Sequence, residues 1–135
     1  MTIAKAKITS DNVQFIQADI TRPWPFESNI FDLVTCNLIL EHVEYLEPVF
    51  KEASRILRSN GKFYISELHP FKQYTGSKAR FEQNGELMVL DCYVHHISDF
   101  FNSAAANGFR CIKLDEWFDE ESFLPRLITF LFEKE

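Results

Sequence analysis

NIFDLVTCNLILEH, residues 29–42, is the stretch whose reading decides the fold. Phe31, Leu33, Val34 and Cys36 form an apolar run with too few polar residues for a half-exposed strand, and Asn37 interrupts it before Leu38–Leu40. The pattern predicts a strand over Asp32–Cys36 that is buried on both faces, with a polar-tipped loop at its carboxyl end. Strands of this kind belong to parallel sheets flanked by helices, where ligands bind in the crevice beyond the carboxyl edge.

The neighbouring segments take their places around that strand. Val13–Ala18 (VQFIQA) alternates apolar and polar residues and predicts a second strand, closed by Asp19. The two prolines of TRPWPFE make a rigid loop between the two strands. Glu47-Pro48 opens a helix, because proline is tolerated in a first turn. Val49, Phe50, Ala53, Ile56 and Leu57 form its apolar stripe, and Asn60-Gly61 is the expected stop. Lys62–Glu67 is the next strand, so residues 32–67 read as strand, helix, strand with parallel strands.

Beyond His69-Pro70, residues 69–85 show no sustained period and predict a long irregular loop. Leu87–Val94 reads as a short extended segment. Ser98 is the expected cap of a helix that runs through Asn107 and stops at Gly108. A strand near Cys111–Trp117, an acidic turn and a strongly apolar last strand, Leu127–Phe132, complete the pattern. Ile3–Lys7 is a turn or two of helix with little apolar face.

Composition bounds the function. A chain of 135 residues with 46% hydrophobic content and 14 Phe is one domain with a dense core. A net charge of −6 disfavours phosphate-backbone binding, so no nucleic-acid partner is expected. Cys36, Cys92 and Cys111 are far apart and contain no CxxC pair, which argues against a disulfide framework or a zinc site and fits a reducing cytoplasm. No apolar run approaches the roughly 20 residues of a membrane span, so no membrane partner is expected.

Several residues carry a functional and a structural reading side by side. Asp19, one residue past its strand, could accept a hydrogen bond from an exocyclic amine such as that of adenine with Ile20 packed on the ring, or it forms the turn into the proline loop. Asn37 could meet the charged amino-acid end of a ligand, or it ends the strand. Glu41-His42 is neither a HExxH signature nor a triad, and His42 reads as a capping or packing residue. Adjacent His95 and His96 diverge and make a poor metal pair. Cys36 reads as a small buried hydrophobe. Phe71, Tyr74, Lys78, Arg80 and Phe81 could line a substrate pocket or belong to a solvated loop.

Taken in order, VQFIQAD, PWPFESNIFDLV and CNLILEHVEYLEPVFKEASRILRSNGKFYISE, spanning Val13–Glu67, resemble the class I S-adenosylmethionine-dependent methyltransferases, in the small-molecule group called type 11. HHISDFFNSAAANGF and LITFLFEK resemble the end of the same fold, where the last strand inserts antiparallel between its neighbours. The resemblance implies an α/β, Rossmann-like sheet, mostly parallel with an antiparallel last strand. It implies S-adenosylmethionine as cofactor and a small molecule as methyl acceptor. In its terms Asp19 binds the adenine amine and Ile20 flanks the ring. Asn37 and Leu38 line the methionine end with His42 nearby, and residues 69–85 form part of a lid. No catalytic base is implied, because a sulfonium is already a good leaving group and orientation supplies much of the rate.

The same resemblance marks a departure. Family members begin with a strand, a glycine-rich turn, a helix and a second strand ending in a ribose-binding acid. This chain has 4 Gly, none in a GxG pattern, and Ile3–Lys7 resembles the helix that follows that acid, so residues 1–135 are expected to form a partial, truncated domain. Losing about three charge-assisted or polar bonds weakens a micromolar ligand by about 10³-fold or more, so weak or absent cofactor binding is expected of the lone chain. The central strand also becomes an open edge. Either Val13–Ala18 moves over to pair with it, or a partner chain or second copy covers it. Two functions follow: methyl transfer that is impaired or partner-dependent, or a non-catalytic methyltransferase-like remnant acting as an interaction module.

Overall fold

Alternation in KFYISE puts Phe63, Ile65 and Glu67 on one side of their strand, and the fold is built on that side. The computed structural model describes residues 2–75, 80–83, 86–89, 92–121 and 123–135. Its main sheet contains β1 (Phe31–Asn37), β2 (Leu57–Leu68), β5 (Phe109–Phe118) and β6 (Pro125–Lys134), in the order β1-β2-β6-β5. β1 and β2 are parallel, whereas β6 runs antiparallel to both β2 and β5. Three strands therefore share one direction and the last strand inserts against them, as the resemblance implied.

Helix α2 (Glu47–Ile56) connects β1 to β2 with Pro48 in its first turn, and α4 (Ile97–Ala106) precedes β5. Both lay apolar stripes on the sheet face that carries Phe63, Ile65, Ile128, Phe130 and Phe132, all fully buried. Phe50 of α2 meets Phe63 at 5.3 Å and Phe132 at 5.7 Å between ring centroids, both edge-on, the arrangement that ring quadrupoles favour. Phe100 of α4 stacks on Phe130 at 4.8 Å.

Four expectations need correction. Val13–Ala18 forms no strand: the segment is largely exposed and bonds to no neighbouring strand. Alternation encodes two faces but supplies no partner, and without a ladder the segment stays irregular. β1, in turn, is not buried on both faces. Among the described residues its only strand partner is β2, and Leu33 is 56% exposed. Helix α2 stops at Ile56 rather than at Asn60-Gly61, because Leu57 turns extended to enter the core. Asn60 (φ 66°) then takes the left-handed conformation where the β1–β2 register shifts, and a Cβ on Gly61 would lie 2.8 Å from the Arg58 carbonyl oxygen. The α4 cap is His96 rather than Ser98: its N–H donates to the Asp99 carboxylate at 2.8 Å, an exchange Ser98 cannot make from inside the first turn. Gly108 (φ 76°) ends α4 as expected.

The segment after β2 is more regular than its sequence suggests. His69 caps a short helix, α3 (Pro70–Tyr74), by accepting the Phe71 N–H on Nδ1 at 3.0 Å. A two-stranded hairpin follows, β3 (Arg80–Gln83) and β4 (Glu86–Val89), apart from the main sheet. Four-residue strands are too short for a period to stand out. α1 (Thr2–Lys7) matches the short helix read at the start of the chain.

The burial pattern predicts that Phe50→Ala lowers unfolding free energy by about 3–5 kcal/mol. Leu33→Ala on the open edge should change it by no more than about 0.5 kcal/mol. Urea melts of the two variants check both, and equal losses would show that the core has been misplaced.

Candidate functional site

Among the described residues β1 is an edge strand, and an apolar hollow lies along that edge. A cavity of about 380 Å³ is lined by Val34 and Cys36 from the buried face of β1, by Thr35 and Asn37 from its other face, and by Ile16, Ala18, Ile20, Trp24 and Phe26 opposite. Because residues of both faces contribute, the cavity wraps the unpaired edge. Its volume falls within the roughly 300–1,000 Å³ range of small-molecule sites.

The far wall is held from α2. Glu52, 8% exposed, accepts the Trp24 N–H at 2.6 Å and the Arg55 Nε–H at 2.6 Å. Arg55 also donates to the carbonyls of Trp24 (3.0 Å) and Phe26 (2.7 Å). The planar guanidinium thus satisfies carbonyls in a proline-broken segment that cannot join a ladder. The Arg55 guanidinium holds the Glu52 carboxyl below the usual carboxylate range. Trp24 donates its indole N–H to the Ile20 carbonyl at 2.9 Å, closing the turn beneath Asp19.

Asp19 lies at the rim, between two lining residues, and is exposed. Its Oδ1 accepts the Thr21 hydroxyl at 2.6 Å and the Thr21 N–H at 2.9 Å, and these bonds hold its carboxyl below the usual range. Oδ2 sits 3.5 Å from Arg22, a contact too loose and exposed to occupy it. The turn-forming geometry is therefore present, and it leaves one carboxylate oxygen available. Ile20 and Asn37 line the cavity. Leu38 takes a left-handed backbone conformation (φ 52°) and is 49% exposed. His42 is not a lining residue. It ends a 3-10 turn (Leu40–His42) and contacts the Glu41 carboxylate at 3.5 Å. The structure thus brings Ile20 and Asn37 together, with Asp19 and Leu38 beside them, and sets His42 apart.

Glu67 was missed by the sequence reading. It is 3% exposed and accepts the Ile39 N–H on both oxygens (3.1 and 3.0 Å) as well as the Leu40 N–H. Burial outweighs those bonds and pushes its carboxyl up to about 7. Burial, with the Glu67 charge adding to it, also pushes the Cys36 thiol up to about 12, far from a nucleophile's range. The only available signal was the period-two position of Glu67 after Phe63 and Ile65.

On the other side of the loop, His95 donates Nε2–H toward the carbonyls of Val43 (2.6 Å) and Leu40 (3.0 Å). His95 and His96 do not converge, and no group of three metal-ligating side chains occurs among the described residues. Phe71 and Tyr74 lie on α3 with Tyr74 hydroxyl-bonded to His96, while Lys78 and the side chains of Arg80 and Phe81 lie outside the described residues. No helix among the described residues is long and apolar enough to cross a membrane.

Because the folded state raises the Glu67 pKa above its ordinary 4.5, its contribution to stability is fullest at low pH and is lost as pH rises through about 7. Relative to Glu67→Gln, the wild-type chain should lose about 3 kcal/mol of unfolding free energy between about pH 4.5 and pH 8. Urea melts across that range would show parallel curves if Glu67 were solvated.

Comparison with known proteins places this geometry. Residues 1–65 match a methyltransferase-domain family. The ubiquinone/menaquinone biosynthesis C-methyltransferase UbiE of Agrobacterium fabrum is 36% identical over 64 residues, which is 47% of this chain and 24% of that enzyme. The matches to curated relatives span between 18% and 24% of those proteins' lengths. An S-adenosylmethionine-dependent methyltransferase from Mesorhizobium loti superimposes with a TM-score of 0.80 at 16% identity, covering 98% of this chain and 75% of that one. A chain in a complex containing the Haloferax volcanii Trm112 methyltransferase activator superimposes with a TM-score of 0.72 at 13% identity, covering 98% and 66%. Residues 1–65 match the methyltransferase-domain model, and the fold is shared with S-adenosylmethionine-dependent methyltransferases of known structure.

Proposed function

We propose that the cavity along β1 is the adenosyl and methionyl crevice of an S-adenosylmethionine-dependent methyl transfer to a small molecule. The observation that carries this reading is that Ile20 and Asn37 line one apolar cavity at the carboxyl end of β1, with Asp19 and Leu38 each adjoining a lining residue in the chain. The residues fit the adenine end: Ile20 and Trp24 offer apolar walls, and the spare Asp19 oxygen offers an acceptor. At the other end, the Asn37 amide is a polar tip for the methionyl group. His42 ends the 3-10 turn that follows and is not among the lining residues.

The cofactor supplies a methyl group on a sulfonium leaving group, and the protein's part is binding, orientation and exclusion of water. This reading assigns no general base, because the sulfonium is already a good leaving group. Residues 69–85, with α3 and the hairpin, act as the lid over the acceptor in a single domain of residues 1–135. Three cysteines far apart in the sequence, with no CxxC pair, fit a cytoplasmic setting. No glycine-rich turn or ribose-binding acid faces the crevice from this sequence, which supports impaired binding by the chain alone.

Titration with S-adenosylhomocysteine should therefore give a Kd weaker than about 10 μM. Asp19→Ala should weaken it by a further 10-fold or so, the value of one charge-assisted bond. Unchanged affinity in that variant would remove Asp19 from the site.

A second reading is favoured by the open β1 edge: an interaction module that pairs this edge with a partner chain or a second copy. A partner strand would bond to β1 in the very slot the cavity occupies. Light scattering after size exclusion should then give a mass at or above twice 15.9 kDa, and a clean monomer at high concentration would exclude self-association.

A further inference from the structure

The loop that carries Asn37 and Leu38 has an unusual means of support. Leu38 is a non-glycine residue at φ 52°, a conformation that costs of order 1 kcal/mol and persists only where its surroundings fix it. The first N–H groups of the 3-10 turn that follows have no partner within the turn, and Ile39, at the N-cap position, makes no side-chain bond to them. A residue from another strand satisfies them: Glu67, at the carboxyl end of β2. Ser66 adds its carbonyl, which accepts the Leu38 N–H at 2.9 Å.

Below the loop, the Tyr93 N–H donates to the Glu41 carbonyl at 2.7 Å, and His95 reaches the carbonyls of Leu40 and Val43. Residues 38–43 are therefore held both from β2 and from the segment before α4, and the side-chain part of the β2 hold is a buried carboxylate.

We propose that Glu67 is a positioning residue for the crevice: its side chain caps the Leu38–His42 loop from within the core and thereby fixes where Asn37 and Leu38 meet the ligand. This rests on the cofactor reading of the crevice given above. The carboxylate is a stronger acceptor than the carboxylic acid, so the grip tightens when Glu67 ionises. The charged or titratable groups that face it are Glu41 on the loop, whose like charge opposes ionisation, and Cys36 on β1, a neutral thiol at ordinary pH. Its register partner on β6, Ile128, is apolar. Glu41 Oε2 is itself buried with no hydrogen-bond partner among the described residues, so the loop already holds a second acid that a charged Glu67 would repel. Ionisation thus strengthens the cap while straining the turn beneath it, and both effects act on the same few residues.

The test uses the full chain and two readouts. The amide signals of Ile39 and Leu40 are followed by ¹H–¹⁵N NMR without ligand from about pH 5.5 to about pH 8.5. They should move together with one midpoint near 7 in the wild type, keep that midpoint in His42→Gln, and lie flat in Glu67→Gln. Flat wild-type signals, or a titration abolished in His42→Gln, would overturn the assignment. The wild-type and His42→Gln arms decide it even if Glu67→Gln does not fold. Separately, S-adenosylhomocysteine should bind about tenfold more tightly at about pH 8 than at about pH 6, following the ionised fraction, and Glu67→Gln should abolish the difference. PH-independent binding beside a titrating loop would overturn the link between cap and ligand. Absence of binding at both values even at about 10 mM S-adenosylhomocysteine, beyond the roughly 10³-fold weakening expected of the lone chain, would overturn the cofactor reading instead, while the amide titration still decides whether Glu67 holds the loop.

Discussion

The pleat of β2 is the constraint from which the site follows. Phe63 and Ile65 must face α2 and α4, because their register partners Phe132 and Phe130 and the ring of Phe50 complete the core there. A strand has a period of two, so Glu67 is carried to the same face. An acid in that position has to find donors, and the nearest unpaired ones are the N–H groups that open the loop after β1. Core packing, loop conformation and crevice geometry are therefore one problem solved by one strand.

The opposite wall is solved from α2 by a different device. Two prolines prevent residues 21–27 from joining a sheet, which leaves carbonyls that need donors. Arg55 supplies them while paired to Glu52, which also takes the Trp24 N–H. The two walls of the crevice are thus set by a buried carboxylate on β2 and an ion pair on α2. Neither is a lining residue of the cavity, and both act through backbone groups.

The parts of the fold that were legible in the sequence are those with a repeated period and a partner. The stripe from Val49 to Ile56, the apolar runs of β1 and β6 and the glycine stop at Gly108 carried enough residues to declare themselves, and the quoted run from Val13 to Glu67 resembled one family. Val13–Ala18 misled because alternation describes a strand's faces and not its neighbour. The regularity of α3 and the β3–β4 hairpin was hidden by brevity. In the candidate site, Ile20 and Asn37 were picked out of the sequence and line the cavity, with Asp19 beside it, although the strand Asp19 was read to close does not form. Glu67 read as the polar end of a strand, since only the register with β6 and the loop across β1 shows that its side chain is enclosed.

The bare rim of β1 bears on the life of the chain in a crowded solution. Among the described residues its backbone groups meet no neighbouring strand beyond β2, and near its start the charge of Asp32 is partly neutralised by Arg58 at 2.9 Å. Such a rim can template further strands from any chain that presents one, so growth into insoluble filaments competes with the folded state as concentration and temperature rise. A strand laid along the rim would block that growth as well as border the crevice.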